Sequence, residues 1–292
     1  MRDKRVSLQD AAGMIGDGCR LVFGGMVLQR QPMGLIYELV RRGVRGLTVA
    51  TFVGGNGIDL LVGVGAVKRI EAAYMGLGPF GFAPHFRKAA EAGSVEMDDL
   101  SESAMMARFK AAATGLPFLP HKSLLGTDMP RYSRTVQEMT CPFTGQKLHA
   151  IRAMESDVTV LHVHAADPSG NVQFPLQRNT DECDQMFAKA AKTLIVTAER
   201  IVPHEEVLAH STQTIIPHHW VHAVVELPYG AHPGSVDGLY REDEAHLREY
   251  VEAAKTPAAF RAYLERYVTG VKNHWEYLER VGGLRRLSDL RE

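Results

Sequence analysis

RLVFGGMVLQRQP, Arg20 to Pro32, decides the fold. Leu21-Val22-Phe23 is a short apolar run of the length and type of a buried strand. Gly24 and Gly25 end it, and Pro32 opens a helical pattern. In PMGLIYELVRR, Met33, Ile36, Leu39 and Val40 share one stripe, Arg41 and Arg42 sit at the carboxyl end of the dipole, and Gly43 stops the helix. The stretch therefore predicts strand, loop, helix. Its glycines let a ligand approach the backbone closely, and their N–H groups can face developing negative charge.

The same unit follows again. LTVATF, Leu47 to Phe52, is a second buried strand, and VGGNG, Val53 to Gly57, is its glycine-bearing loop. Ile58 to Val64 is helical, and Val67 to Tyr74 is a third strand running into MGLGPFG, Met75 to Gly81. Consecutive strands that each end in such a loop set all the loops on the carboxyl edge of one parallel sheet, where open α/β folds bind ligands. The expected class is α/β with an open, mostly parallel sheet. A dinucleotide fingerprint fits poorly, because GGNGIDLLVG lacks the GxGxxG spacing.

Along the rest of the chain, Ser7 is a candidate N-cap, Pro84 to Ala92 a short helix and Ser94 to Met97 an edge strand. Ser101 to Ala113 is a helix with Ser101 as N-cap, and Glu102 lies in its first turn, where an acid complements the dipole. Asp128 to Gln146 has few periodic signals and reads as a long loop, a lid or a partner contact. Val158 to Ala166 is strongly β-type, Asp167 to Asn171 is a turn, and Asp181 to Ala191 is a helix capped by Thr180 or Asp181. Thr193 to Ala198 is a buried strand, and Ile215-Ile216 with Val221 to Leu227 reads as a strand pair. Asp243 to Val281 is helical. Residues 1–240 read as one α/β body, and 241–292 as a helical extension packing on that body or on a partner subunit.

The balance of 33 Lys plus Arg against 34 Asp plus Glu gives −1, which argues against nucleic acid or a basic membrane patch. Cys19, Cys141 and Cys183 are odd in number and scattered. They suit neither a disulfide framework nor a zinc site, and a reducing cytoplasm is expected. The amino terminus has no apolar core of a signal peptide, and no run is long enough to cross a bilayer. His162 and His164 alternate and so share one strand face, near Asp167. Their spacing favours hydrogen-bonded strand histidines over a ligand set, and no metal is expected. His232, in a constrained loop after a strand, is open between substrate contact and loop hydrogen bonding.

Several segments together resemble a known family: the Gly24-Gly25 loop, Phe52-Val53-Gly54-Gly55-Asn56, Gly115 to Pro120, Cys141 to Gly145, Ala166-Asp167-Pro168-Ser169-Gly170-Asn171, and Pro228 to Pro233. The chain resembles the A (α) subunit of family I CoA-transferases, of the glutaconate CoA-transferase type, over most of its length. The resemblance implies a fold of the NagB/RpiA/CoA-transferase type. It also implies a homologous B subunit, in a heterodimer or A2B2 heterotetramer, a coenzyme A thioester as substrate and no permanently bound cofactor. In this family a glutamate carboxylate attacks the thioester, an acyl anhydride forms, CoA attacks that to give a glutamyl-CoA thioester, and a new acid collects the CoA. A carboxylate is a weak nucleophile, so proximity and oxyanion stabilisation must do most of the work.

By resemblance, Gly24, Gly25 and Met26, with Gly54, Gly55 and Asn56, are expected at the oxyanion and CoA, and Gly76, Gly78 and His232 at the substrate. The family's nucleophile lies in the B subunit, in a Glu-Asn-Gly motif that this chain lacks, so the chain is expected to be catalytically incomplete alone. A related branch, the steroid ring-cleaving hydrolases, implies an A-subunit glutamate acting as base, and Glu102 is the matching position. A rival of another class, a non-catalytic sugar-phosphate-binding module, also suits glycine loops at helix starts.

Overall fold

Seven parallel strands carry the chain, inside a nine-stranded sheet. They are β1 (Arg20–Phe23), β2 (Leu47–Ala50), β3 (Val67–Ala72), β4 (Glu96–Asp99), β5 (Val158–Ala166), β6 (Thr193–Ile201) and β7 (Ala223–Glu226). This computed structural model describes residues 2–175 and 181–291. The spatial order is 4-3-2-1-5-6-7, every neighbouring pair parallel. The order reverses at β1, which has β2 on one side and β5 on the other. That reversal is a topological switch point, and it opens a crevice at the carboxyl ends of β1 and β5. All nine residues of β5 are buried. A strand covered on both faces needs no polar alternation, hence the unbroken VTVLHVHAA.

Helices cover both faces. One face packs Leu8–Gly13, Met33–Arg42 and Asn56–Gly63 together with the C-terminal helices. The other packs Glu102–Ala113 against Asp181–Ala190, where the Phe109 and Phe187 rings lie 4.0 Å apart. Helix starts follow capping chemistry: Ser7 Oγ accepts from the Asp10 N–H at 3.0 Å, and Ser101 Oγ from the Ala104 N–H at 3.2 Å. The cap expected at Thr180 lies outside the described residues, as does the side chain of Asp181.

Four expectations are corrected. The 128–146 region is no lid: Phe118–His121, Val136–Thr140 and Lys147–Arg152 form an antiparallel three-stranded sheet. Its hairpin closes through Cys141 N–H to Gln146 O and Gly145 N–H to Cys141 O, both 2.9 Å. In the last two of these strands only Val136, His149 and Ile151 are buried, too few for an alternating apolar pattern to show. Thr214–Ile216 does not pair with β7; it pairs with Val172–Gln173, beside the carboxyl end of β5. The edge strand falls at Glu96–Asp99 rather than 94–97, and the third strand ends at Ala72 before a separate Tyr74–Met75 pairs with Val53–Gly54.

The C-terminal segment comprises Glu244–Ala253, Pro257–Leu264, a π-helical turn Glu265–Thr269, His274–Arg280 and Gly283–Ser288. Its Leu247, Tyr250, Tyr263 and Tyr277 belong to the same apolar core as Leu35, Ile36 and Leu39.

Candidate functional site

The glycine loops do gather on one rim, and the rim is laced by main-chain hydrogen bonds. The N–H of Val27 donates to Val53 O at 3.3 Å, and that of Gly76 to Gly54 O at 3.1 Å. Thr51 Oγ1 donates to Phe23 O at 3.1 Å. Glycine is required where the loops cross. A Cβ on Gly55 would fall on the Val27 carbonyl, and one on Gly25, at φ +78°, would fall on the backbone of Gln29 and Arg30.

The three residues expected at the oxyanion, Gly24, Gly25 and Met26, have main-chain partners within the chain. The Gly24 N–H donates to Val160 O at 2.9 Å, the Gly25 N–H to Asp184 Oδ1 at 3.0 Å, and the Met26 N–H to Gln29 O at 2.8 Å. All three donors are spent inside the chain. Gly54, Gly55 and Gly76 are buried, whereas Gly78 is exposed at φ +57°. Asn56 remains open chemically. It is 3% exposed, begins a helix without a side-chain cap, and its Oδ1 has no hydrogen-bond partner. Gln31, fully buried nearby, has neither amide atom satisfied. Unpaired buried amides of this kind cost free energy unless something meets them.

A charged group missed in the sequence fills the crevice between β1 and β5. Arg30, 1% exposed at φ +52°, pairs with Asp184 and stands 3.4 Å from Asp237 Oδ1. Its guanidinium lies 5.2 Å from the centre of the Phe174 ring. His164, on β5, shares a hydrogen bond with Asp237 O at 2.8 Å, and burial pushes its pKa down. Asp184 thus holds the Gly24–Gly25 turn and the arginine together. One signal was available: Asp184 lies on the helix stripe of Phe187 and Ala188, where a charge needs a buried partner.

Glu102 stands at the start of its helix, exposed, with no hydrogen bond or ion pair among the described residues. Asp99, at the end of β4, is a second exposed carboxylate close by in the chain, and partial burial, then the charge of Asp98, raises its pKa. Of the two readings of His232, loop hydrogen bonding is the one its surroundings fit. It is fully buried, with Nδ1 at 2.5 Å from Tyr277 Oη and Nε2 at 3.3 Å from Asp243 Oδ2. His162 bonds Thr197 and Glu199 within β6 at 2.9 and 2.7 Å. Asp167 accepts from Ser169, Asn171 and His204; burial works against its charge, but these donors win and hold it at about 2.

Comparison with known proteins gives a consistent picture. A family model described as Coenzyme A transferase matches residues 5–227. The A chain of glutaconate CoA-transferase from Acidaminococcus fermentans is 34% identical, covering 97% of this chain and 93% of that protein. The crystal structure of glutaconate CoA-transferase from that organism superposes with a TM-score of 0.92 over 99% of this chain and 96% of that one, at 32% identity. A cholesterol ring-cleaving hydrolase IpdA subunit of Rhodococcus jostii is 32% identical over 94% of this chain and 95% of its own length. A protein of Archaeoglobus fulgidus is 40% identical over 100% of this chain, which spans 65% of that longer relative.

Proposed function

Because the chain belongs to the coenzyme A transferase family, with the fold and length of its A subunits, we propose that it is one half of a two-subunit enzyme acting on acyl-CoA thioesters. The reaction is transfer of CoA from an acyl-CoA to a carboxylic acid, completed by a homologous B subunit. One observation carries this reading. The switch-point crevice is built, but its N–H donors at Gly24, Gly25 and Met26 are internally bonded, and the chain has no Glu-Asn-Gly.

On this reading the nucleophilic carboxylate comes from the partner, because this chain lacks the Glu-Asn-Gly motif. Its oxygen attacks the thioester carbonyl, CoA leaves as thiolate, and an anhydride forms on the partner's glutamate. The oxyanion of that attack needs donors, each worth about 3–4 kcal/mol when preorganised. On this chain the main-chain N–H groups at the uncapped start of Asn56–Gly63 are the donors best suited to it, whereas the unmet Oδ1 of Asn56 is an acceptor and suits a donor on the ligand.

The test is co-expression with a B-type subunit carrying Glu-Asn-Gly, followed by acyl-CoA assays with and without an acceptor acid. Acceptor-dependent formation of a new acyl-CoA is expected from the complex and not from the chain alone. Full turnover by the isolated chain would sink the proposal, and so would ligand binding without any turnover by the complex, the behaviour of a sugar-phosphate module.

A second reading rests on Glu102 and on the similarity to the cholesterol ring-cleaving hydrolase subunit. Glu102 then takes a proton from a water that adds to the acyl-CoA. Free, unbonded and on the rim, it meets the access that a general base needs. In the complex, Glu102→Gln should remove about two to four orders of magnitude of hydrolysis. Hydrolysis undiminished in the Glu102→Gln complex would rule the base assignment out.

A further inference from the structure

On the face away from the crevice, a cavity of about 490 Å³ opens under the amino ends of β2 and β3. Arg45, just before β2, and Val64, just before β3, line it, so it lies at the opposite edge of the sheet from the glycine rim. Its charged lining is of one sign: Arg45, Lys88 and Arg261, with no carboxylate. None of the three makes an ion pair among the described residues; Lys88 instead donates to Ala254 O at 2.8 Å and to Lys255 O at 3.2 Å.

Much of the rest of the wall is apolar. Phe260 packs on His85 with ring centroids 4.1 Å apart, and Val40, Val64 and Leu264 continue the surface. His85 Nε2 is buried with no partner. Burial, and then the charge of Lys88, pushes His85 down to about 4, so its ring is neutral at pH 7 and adds no further charge. The helix Pro257–Leu264 starts at the cavity, with its amino end adding positive potential. The wall then runs into the π-helical turn Glu265–Thr269, a distortion found at binding sites more often than chance.

A concave apolar wall with a few convergent polar groups of one sign is the pattern of a small-molecule site. We propose that this cavity binds a nucleoside phosphate, its base against the Phe260–His85 wall and its phosphates against Arg45, Lys88 and Arg261. The site is separate from the rim and independent of the reaction assigned there. The chemistry has two sources, a free nucleotide or the adenosine-phosphate end of coenzyme A, and the probes separate them.

The full chain is titrated calorimetrically with ADP, adenosine 3′,5′-bisphosphate and inorganic phosphate. One-to-one binding of ADP or the bisphosphate is expected, with affinity falling as salt rises. Whichever binds more tightly names the source. Arg45→Glu with Arg261→Glu, both on exposed side chains, should weaken binding at least about tenfold with the circular dichroism spectrum unchanged. Three results would overturn the site: no binding by any probe, affinity unchanged in the double variant, or phosphate binding as tightly as ADP. If the double variant does not fold, Phe260→Leu with Lys88→Gln serves instead, with the same expected weakening and the same overturning result.

Discussion

The carboxyl rim and the C-terminal polar network make an instructive pair. Both are rich in hydrogen-bonding groups, and both join distant parts of the chain. In the network Asp243, His232, Tyr277 and Arg286 all bond to one another or to neighbouring groups of the chain. Asp243 caps Glu244–Ala253, faces His232 at 3.3 Å and pairs with Arg286 at 2.5 Å. Burial opposes its charge, yet the donors, led by His232, hold its carboxyl far below the usual range. Tyr277 links His232 to Tyr37, and His246 bonds Tyr263 at 2.8 Å.

The rim spends its Gly24, Gly25 and Met26 donors within the chain but leaves Asn56 and Gln31 amide atoms unmet, and Glu102 exposed with no bond among the described residues. A saturated polar cluster stabilises a fold, whereas unmet polar groups in a crevice mark where something else binds. The histidine in the conspicuous Gly-Ala-His-Pro segment belongs to the first kind.

Breaking the network should cost the most. Asp243→Ala strands His232 and Arg286 and removes a helix cap, a loss of about 3–5 kcal/mol in denaturant unfolding. A loss under about 1 kcal/mol would show that the cluster is not a stabilising core. Gly25→Ala at the rim meets both a positive φ and a backbone clash, and about 2–4 kcal/mol is expected by the same measurement. If it is neutral, the turn is not as tightly crossed as described.

Asp59 gives a pH signature. Burial raises its pKa from 3.8 to about 6, against the hydrogen bonds from Tyr250 and Phe86. The folded state thus holds the proton more tightly than the unfolded one. The resulting stabilisation is complete below pH 3.8 and lost as pH rises to about 6, at most about 3 kcal/mol. Asp59→Asn lacks this term, so its stability relative to the parent should rise between pH 4 and pH 7; parallel curves would disprove the shift. The smallest effect is expected for Glu102→Gln, within about 0.5–1 kcal/mol of parental stability, because the side chain is exposed, has no hydrogen bond or ion pair among the described residues, and interacts with the helix dipole. A large destabilisation there would give Glu102 a structural role and remove it from the rim's open chemistry.

Much of this is readable from the residues alone. β1, its double glycine and the Met33–Arg42 helix follow from a buried apolar run, two breakers and a clean stripe, and they stand where expected. The caps at Ser7 and Ser101 are readable because the pattern is local. The 118–152 sheet is not, since a half-exposed meander carries too few apolar residues to show its period. Arg30 and Asp184 are hidden for another reason. They meet across 154 residues, and neither position is unusual within its own segment except for a charge on a buried face.

Local spacing determined that the chain is an α/β protein with glycine turns at the ends of successive parallel strands. Backbone sterics and hydrophobic period act over a few residues, and a sequence displays both. Which donors on that edge are spent and which remain open was decided only in three dimensions. A hydrogen bond has no period, and Gly25, Asp184, His232 and Asp243 reveal their tasks only once the sheet has brought their partners within 3.3 Å.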